Sequence, residues 1–213
     1  MKTALVAGST GLIGSQLLEL LLKSDAYHKV IAISRKKLSI THDKLINIVC
    51  ALNQLSDYPN EFRADDVFCC LGTTMKVAKS KGAFRAVDFD APLLLAKITK
   101  ENGARKFLLI SALGAKKDSS IFYNQVKGEA EESIQQIGFD AFHIFRPSLL
   151  LGPRKEHRSG EEAAKVFYKI FGWLIPKKYQ AIESIRVAKA MLSFAELGGS
   201  GIFIHESNEI GSL

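Results

Sequence analysis

No stretch of this 213-residue chain approaches the ~18 unbroken apolar residues of a membrane helix, which excludes an integral membrane segment. Cysteine is scarce: Cys50, Cys69 and Cys70 are the only three. Cys69 and Cys70 are adjacent in an apolar run and would point to opposite faces of a strand, which excludes a disulfide framework and a thiolate metal site. A cytoplasmic location is expected from this cysteine usage. No cleavable signal peptide fits ahead of a first strand that starts almost at Met1. The five histidines (His28, His42, His143, His157, His205) have no metal-ligand spacing, so no metal is expected. There is also no long run of one charge. Lysine and arginine number 29 against 22 acidic residues, a net charge of +7, but the bases are scattered and no aromatic residues interleave with them. That pattern argues against a nucleic-acid surface and for a solvated exterior that attracts a polyanionic cofactor. Internal repeats, low-complexity segments and linkers are absent.

What the chain does have is an ordered opening. Thr3-Ala-Leu-Val-Ala7 is rich in strand formers, Gly8, Gly11 and Gly14 follow, and Leu12–Lys23 is apolar over a helical length. Strand, glycine turn and helix together form the context of a dinucleotide-binding turn. Gly8 permits a tight exit from the strand, Gly11 lets a pyrophosphate approach the backbone, and Gly14 lets the helix sit close to the sheet. The first N–H groups of the helix, with hydroxyls from Ser9 and Thr10, then face the phosphates, and Leu12 and Ile13 carry the turn into the helix. The spacing is G-x-x-G-x-x-G and not G-x-G-x-x-G, and no Gly-Lys-Ser/Thr follows as a P-loop requires. A glycine turn that binds nothing is the plain alternative, and the flanking strand and helix argue against it.

Strand-like runs at 3–7, 29–34, 45–50, 66–71, 106–111 and 141–145 alternate with helix-length stretches at 12–23, 93–102 and 123–137. The βαβ alternation predicts an α/β fold: a doubly wound parallel sheet of about seven strands, forming one domain over residues 1–213. Pro92 falls near a helix start, where its missing N–H is harmless. Beyond Arg146 a loop, a helix from about Glu161 to Trp173, a second from Ser184 to Glu196, and a last strand at 202–205 are expected. Residues of roughly 147–200 read as a small substrate-side cap. Tyr168, Phe171, Trp173 and Tyr179 are read as core aromatics, with an apolar substrate pocket as the alternative.

Two constellations carry chemistry. Ser34-Arg35-Lys36-Lys37 ends the second strand, where an NAD-preferring site would place an acid for the ribose 2′-hydroxyl. Bases there suit the 2′-phosphate of NADP(H), and Arg35 is able to bind two of its oxygens. The second constellation is Ser111, Tyr123 and Lys127. Tyr123 and Lys127 are four residues apart and share a helix face. Ser111 ends a strand at the carboxyl edge of the sheet, where ligands of such sheets bind. Reducing a carbonyl adds hydride to carbon and a proton to oxygen. A phenol is a weak acid, with pKa about 10, and a nearby ammonium strengthens it. A serine hydroxyl is able to hold the carbonyl oxygen.

From end to end the chain resembles the short-chain dehydrogenase/reductase superfamily, its atypical branch, and within that the Tat-interacting-protein oxidoreductases. The resemblance rests on Ala7-Gly-Ser-Thr-Gly-Leu-Ile-Gly14, Cys70-Leu-Gly-Thr-Thr74, Val87-Asp88, Tyr123-Asn-Gln-Val-Lys-Gly-Glu129, Phe145-Arg-Pro147, Arg158-Ser-Gly-Glu161 and Ala190-Met191. It implies a Rossmann fold, NADPH binding and a Ser/Tyr/Lys trio, matched by Ser111, Tyr123 and Lys127. It further implies that Leu71, Gly72 and Thr73 run along the cofactor, and that Arg146, Pro147 and Ser148 pass the nicotinamide. The chain departs from the wider pattern twice. Asp88 stands where many relatives have an Asn that completes a proton relay, and Ala51 where many atypical members have an Asp near the adenine. The reading is an NADPH-dependent reductase of a small carbonyl compound, monomeric or homodimeric. The alternative is an NADPH-binding regulatory protein with little turnover, because animal members of the family are better known for regulation than for a defined reaction.

Overall fold

The computed structural model describes residues 1–152 and 180–212. The expected helix at Glu161–Trp173, the four aromatics between Tyr168 and Tyr179, and much of the expected cap lie outside these residues. The first strand, β1 (Lys2–Ala7), is followed by α1 (Leu12–Lys23), β2 (Tyr27–Ser34), β3 (Leu45–Val49) and β4 (Asp66–Cys69). The middle of the chain holds the short helices α2 (Met75–Ala78) and α3 (Lys81–Arg85), then α4 (Ala91–Glu101), β5 (Lys106–Ile110), α5 (Phe122–Gln135) and β6 (Ala141–Arg146). The rest comprises a two-residue strand pair, β7 (Leu150–Leu151) with β8 (Ile182–Glu183), then α6 (Ser184–Glu196), β9 (Gly201–Glu206) and α7 (Ser207–Ile210).

Seven strands form one sheet in the order β3-β2-β1-β4-β5-β6-β9, and every pairing in it is parallel. This is the doubly wound sheet expected. Alternation along each strand supplies two cores. Ala4 and Val6 of β1 and Leu108 and Ile110 of β5 pack with Leu17, Leu21 and Met191 of α1 and α6. Leu5, Ala7, Phe107 and Leu109 face the other way, onto Leu95 and Ala96 of α4 and Ile134 of α5. Strands buried on both faces explain why the sequence showed continuous apolar runs there.

Between α3 and α4, residues Ala86–Asp90 form a wide π-type turn. The cause is Pro92. The chain is already helical before it, with Ala91 at φ −67° and ψ −45°. A proline ring there would collide with the carbonyl four residues back, that of Asp88, in a regular α-helix. The wider turn relieves this. Pro92 does sit in the first turn of α4, as expected, but a helical segment precedes it and carries the adjustment.

At the β6–β9 side, His143 Nδ1 and His205 Nε2 are 3.0 Å apart, and His205 Nδ1 is 3.0 Å from Glu209 Oε1. His143 is 5% exposed. Burial, then His205, then Lys106 pull its pKa down to about 4. The fold therefore favours neutral His143, and as pH falls the unfolded chain takes up the proton first. Stability is complete above about pH 6.5 and is lost as pH falls toward 4, by about 3 kcal/mol at most. Urea midpoints of wild type and His143→Gln between pH 7 and 4 should show this acid loss in wild type and a flatter profile in the variant.

Candidate functional site

The glycine turn lies at the carboxyl end of β1. Gly8 adopts φ +81°, and a Cβ there would lie 2.6 Å from the carbonyl oxygen of Cys70, so only glycine fits. A Cβ on Gly14 would overlap the carbonyl oxygen of Gly8, which holds α1 close to the turn. The Gly11 N–H closes the turn onto the Gly8 carbonyl at 2.9 Å. Gly11 is the N-cap of α1 and no side chain caps the helix, while its first turn holds no acidic residue. The leading N–H groups of α1 are thus offered outward from a narrow cradle, which suits a pyrophosphate. Thr10 and Gly11 are exposed at its rim, while Leu12 is half-buried and Ile13 packs into the core. Ser9 is buried and donates its hydroxyl to the Ile33 carbonyl at 2.9 Å, so it ties the turn to β2.

Arg35 and Lys36 stand exposed at the end of β2, one strand away from the glycine turn. The Ser34 hydroxyl, expected to contact the cofactor, is engaged within the protein. It donates to the Lys36 carbonyl at 2.7 Å and accepts from Asn47 Nδ2 at 2.8 Å, so it shapes the basic turn.

On the far side of β1, Leu71, Gly72 and Thr73 leave the end of β4. The Thr73 N–H donates to Asp88 Oδ2 at 2.8 Å. Asp88 Oδ1 lies 2.8 Å from the Lys127 ammonium, and both side chains are almost wholly buried. Lys127 Nζ also reaches the Ile110 carbonyl at 3.2 Å. Burial alone would pull the Lys127 pKa down, but Asp88 and then Tyr123 push it above its ordinary value. Tyr123 and Lys127 share one turn of α5, and the Tyr123 ring rests against Phe84 of α3, centroids 5.4 Å apart. The structure thus joins Gly72, Thr73, Tyr123 and Lys127 of the expected set.

Ser111 and Arg146 are held elsewhere. The Ser111 hydroxyl donates to Glu131 Oε1, and Ser111 is 4% exposed. Arg146 clamps the same carboxylate through Nε and Nη2, and the hydrogen bond raises the arginine pKa. Ser111, expected to orient substrate, and Arg146, expected to pass the nicotinamide, thus meet at Glu131. Ser111 directly follows β5 and Arg146 ends β6, and both side chains are drawn to the one carboxylate that α5 buries. Pro147 is buried next to Arg146. Ser148 donates its hydroxyl to the Gln180 carbonyl, and its N–H goes to Ser207 Oγ at 2.7 Å. Glu131 escaped the sequence reading. Its signal was present, because it follows Lys127 by four residues and so shares its helix face. Asp88 was noticed as a departure, but its pairing with Lys127 was not foreseen.

A Rossmann sheet with an open glycine cradle at its carboxyl edge is an NAD(P)H-binding, oxidoreductase-like fold. The chain belongs to the NAD(P)H-binding family, whose model matches residues 8–193. It is 38% identical over 207 residues to Protein HTATIP2 of Rattus norvegicus, covering 94% of this chain and 84% of that protein, which bears out the resemblance to the Tat-interacting-protein group. It is 38% identical over 158 residues to Protein FMP52-1, mitochondrial, of Scheffersomyces stipitis, covering 72% of this chain and 69% of the relative. Among solved structures, UDP-glucose 4-epimerase of Thermotoga maritima superposes with a TM-score of 0.73 at 18% identity, covering 96% of this chain and 76% of that one. The enzyme WbmH of Bordetella bronchiseptica, in complex with NAD+, gives 0.72 at 17%, covering 97% and 76%. These two share the fold. The expectation of a cytoplasmic location is overturned: relatives from several fungi carry the name mitochondrial.

Proposed function

We propose that this protein is an NADP(H)-dependent reductase of a small carbonyl compound. The observation that carries this reading is the placement of Tyr123 one turn from a buried, protonated Lys127, beside the exposed loop at Gly72. NADPH, when bound, supplies the hydride. The chain's own residues do the rest. The α1 amides and the Gly8–Gly14 cradle hold the pyrophosphate, and Lys127 donates to the nicotinamide ribose. Tyr123 hydrogen-bonds the carbonyl oxygen and gives it a proton. Ser111 is tied to Glu131, so positioning of the carbonyl falls on Tyr123, with Ser111 bracing the strand end beneath it.

Preference for NADP(H) over NAD(H) is supported by Arg35 and Lys36, exposed where an acid would stand. Arg35→Ala should weaken NADPH binding by about 1.5–3 kcal/mol, the scale of one lost charge-assisted hydrogen bond, and leave NADH binding nearly unchanged. Calorimetric titration of both nucleotides tests this, and equal affinity of wild type for the two would refute the preference. A second reading, a nucleotide-binding regulator with little turnover, is favoured by Asp88, which pairs with the Lys127 ammonium at 2.8 Å.

A further inference from the structure

The ammonium of Lys127 does not reach the site as a bare charge. Asp88 Oδ1 sits 2.8 Å away as an ion-pair partner and accepts no hydrogen bond among the described residues, while Oδ2 is fixed by the Thr73 N–H. The pair forms the floor under the exposed loop at Gly72. A Cβ at Gly72 would lie 3.5 Å from Asp88 Oδ1 and 3.7 Å from Lys127 Nζ. An ammonium has three N–H donors. Among the described residues the Ile110 carbonyl accepts one of them, while Asp88 faces the ammonium as an ion-pair partner, so donors remain for a ligand hydroxyl. To any group beside it the pair presents a dipole and not a unit charge, and the field of a dipole falls away much faster.

We propose that Asp88 is a positioning residue that turns Lys127 into a hydrogen-bond donor for the bound nucleotide and cancels the charge that would otherwise strengthen Tyr123 as an acid. The site is thereby set for holding NADP(H) and not for rapid turnover. The inference rests on the reading of the site given above and deepens it. The groups around Lys127 agree with it. Tyr123 lies on the same helix, Asp88 on the π-type turn and Cys69 at the end of β4, its thiol pushed up to about 12 by burial. One turn further along α5, Glu131 is neutralised by Arg146. Asp88 is thus the carboxylate that cancels this ammonium. The carboxylate and the ammonium face each other at 2.8 Å, so the cancellation is set by the packing of the π-type turn on α5.

The test uses the full chain with Asp88→Asn, which keeps the volume and an acceptor for the Thr73 N–H, and Asp88→Ser, which removes the carboxylate and leaves room for water. NADPH affinity is read by fluorescence. Steady-state kcat and KM are read between pH 6 and 10 with 4-nitrobenzaldehyde and 9,10-phenanthrenequinone. NADPH Kd should stay within about threefold, KM for the carbonyl should hold, and kcat should rise about tenfold or more. The alkaline limb of the reduction profile should move to lower pH by about one unit, because losing a neighbouring negative charge favours the ionised form of an acid. A role confined to folding would not move that limb. If Asp88→Asn does not fold, Asp88→Ser decides. NADPH binding with measurable but unaltered rates and profile overturns this inference alone, and no measurable rate in any form overturns the reductase reading and this inference with it. Failure of wild type to bind NADPH overturns the reading of the site, and this inference with it.

Discussion

Tyr123→Phe is expected to lower carbonyl reduction by about 10²-fold or more, the scale of losing a general acid. The change removes one hydroxyl and leaves the ring, so the packing on Phe84 and the helix face it shares with Lys127 survive. NADPH affinity and thermal stability should therefore match wild type. The assay is NADPH oxidation against a panel of aldehydes, ketones and quinones. A variant that equals wild type on a compound that is turned over would show that the proton comes from elsewhere.

Lys127→Met should act on stability as well as on the ligand. It removes the cation and leaves the Asp88 carboxylate 1% exposed without a counter-charge. Stripping one partner from a buried pair costs about 3–5 kcal/mol. For a chain of this size that is a fall in melting temperature on the order of 10 °C. NADPH affinity should fall too, because a donor to the ribose is lost. Adding Asp88→Asn to Lys127→Met removes the stranded charge and keeps an acceptor for the Thr73 N–H, so the double variant should regain most of the stability without the affinity. Scanning calorimetry of the three variants separates the effects. A double variant as unstable as Lys127→Met would mean that the methionine itself, and not the stranded carboxylate, is the burden.

The sheet was legible because its strands are apolar runs and because Gly8 and Gly14 have a steric duty at the first turn. Even the bounds of α1 and α6 match those read from periodicity. What escaped was short or tertiary. The single-turn helices α2 and α3 are too brief to show a period, though Thr74 and Ser80 cap them by accepting from Val77 and Ala83. The 3-10 turn at Leu52–Asp57 is equally short. In the site, spacing along one helix revealed Tyr123 and Lys127, because α5 alone sets their relation. It gave no view of which way the Ser111 hydroxyl turns, since that is decided by Glu131 arriving from another element. Asp88 was visible as an unusual residue, but its carboxylate meets Lys127 only through the packing of the π-type turn on α5.

That turn has a consequence for how such a site changes over time. The charge beside Lys127 is delivered by backbone, through a helix widened to accommodate Pro92, a residue with no polar side chain. Two proteins would then keep the same Tyr-x-x-x-Lys signature and differ in temperament because of a ring on a neighbouring helix. Drift at position 92 would retune the ionic floor while every hallmark residue stayed in place. Ancestry read from hallmarks alone would pass over that lever.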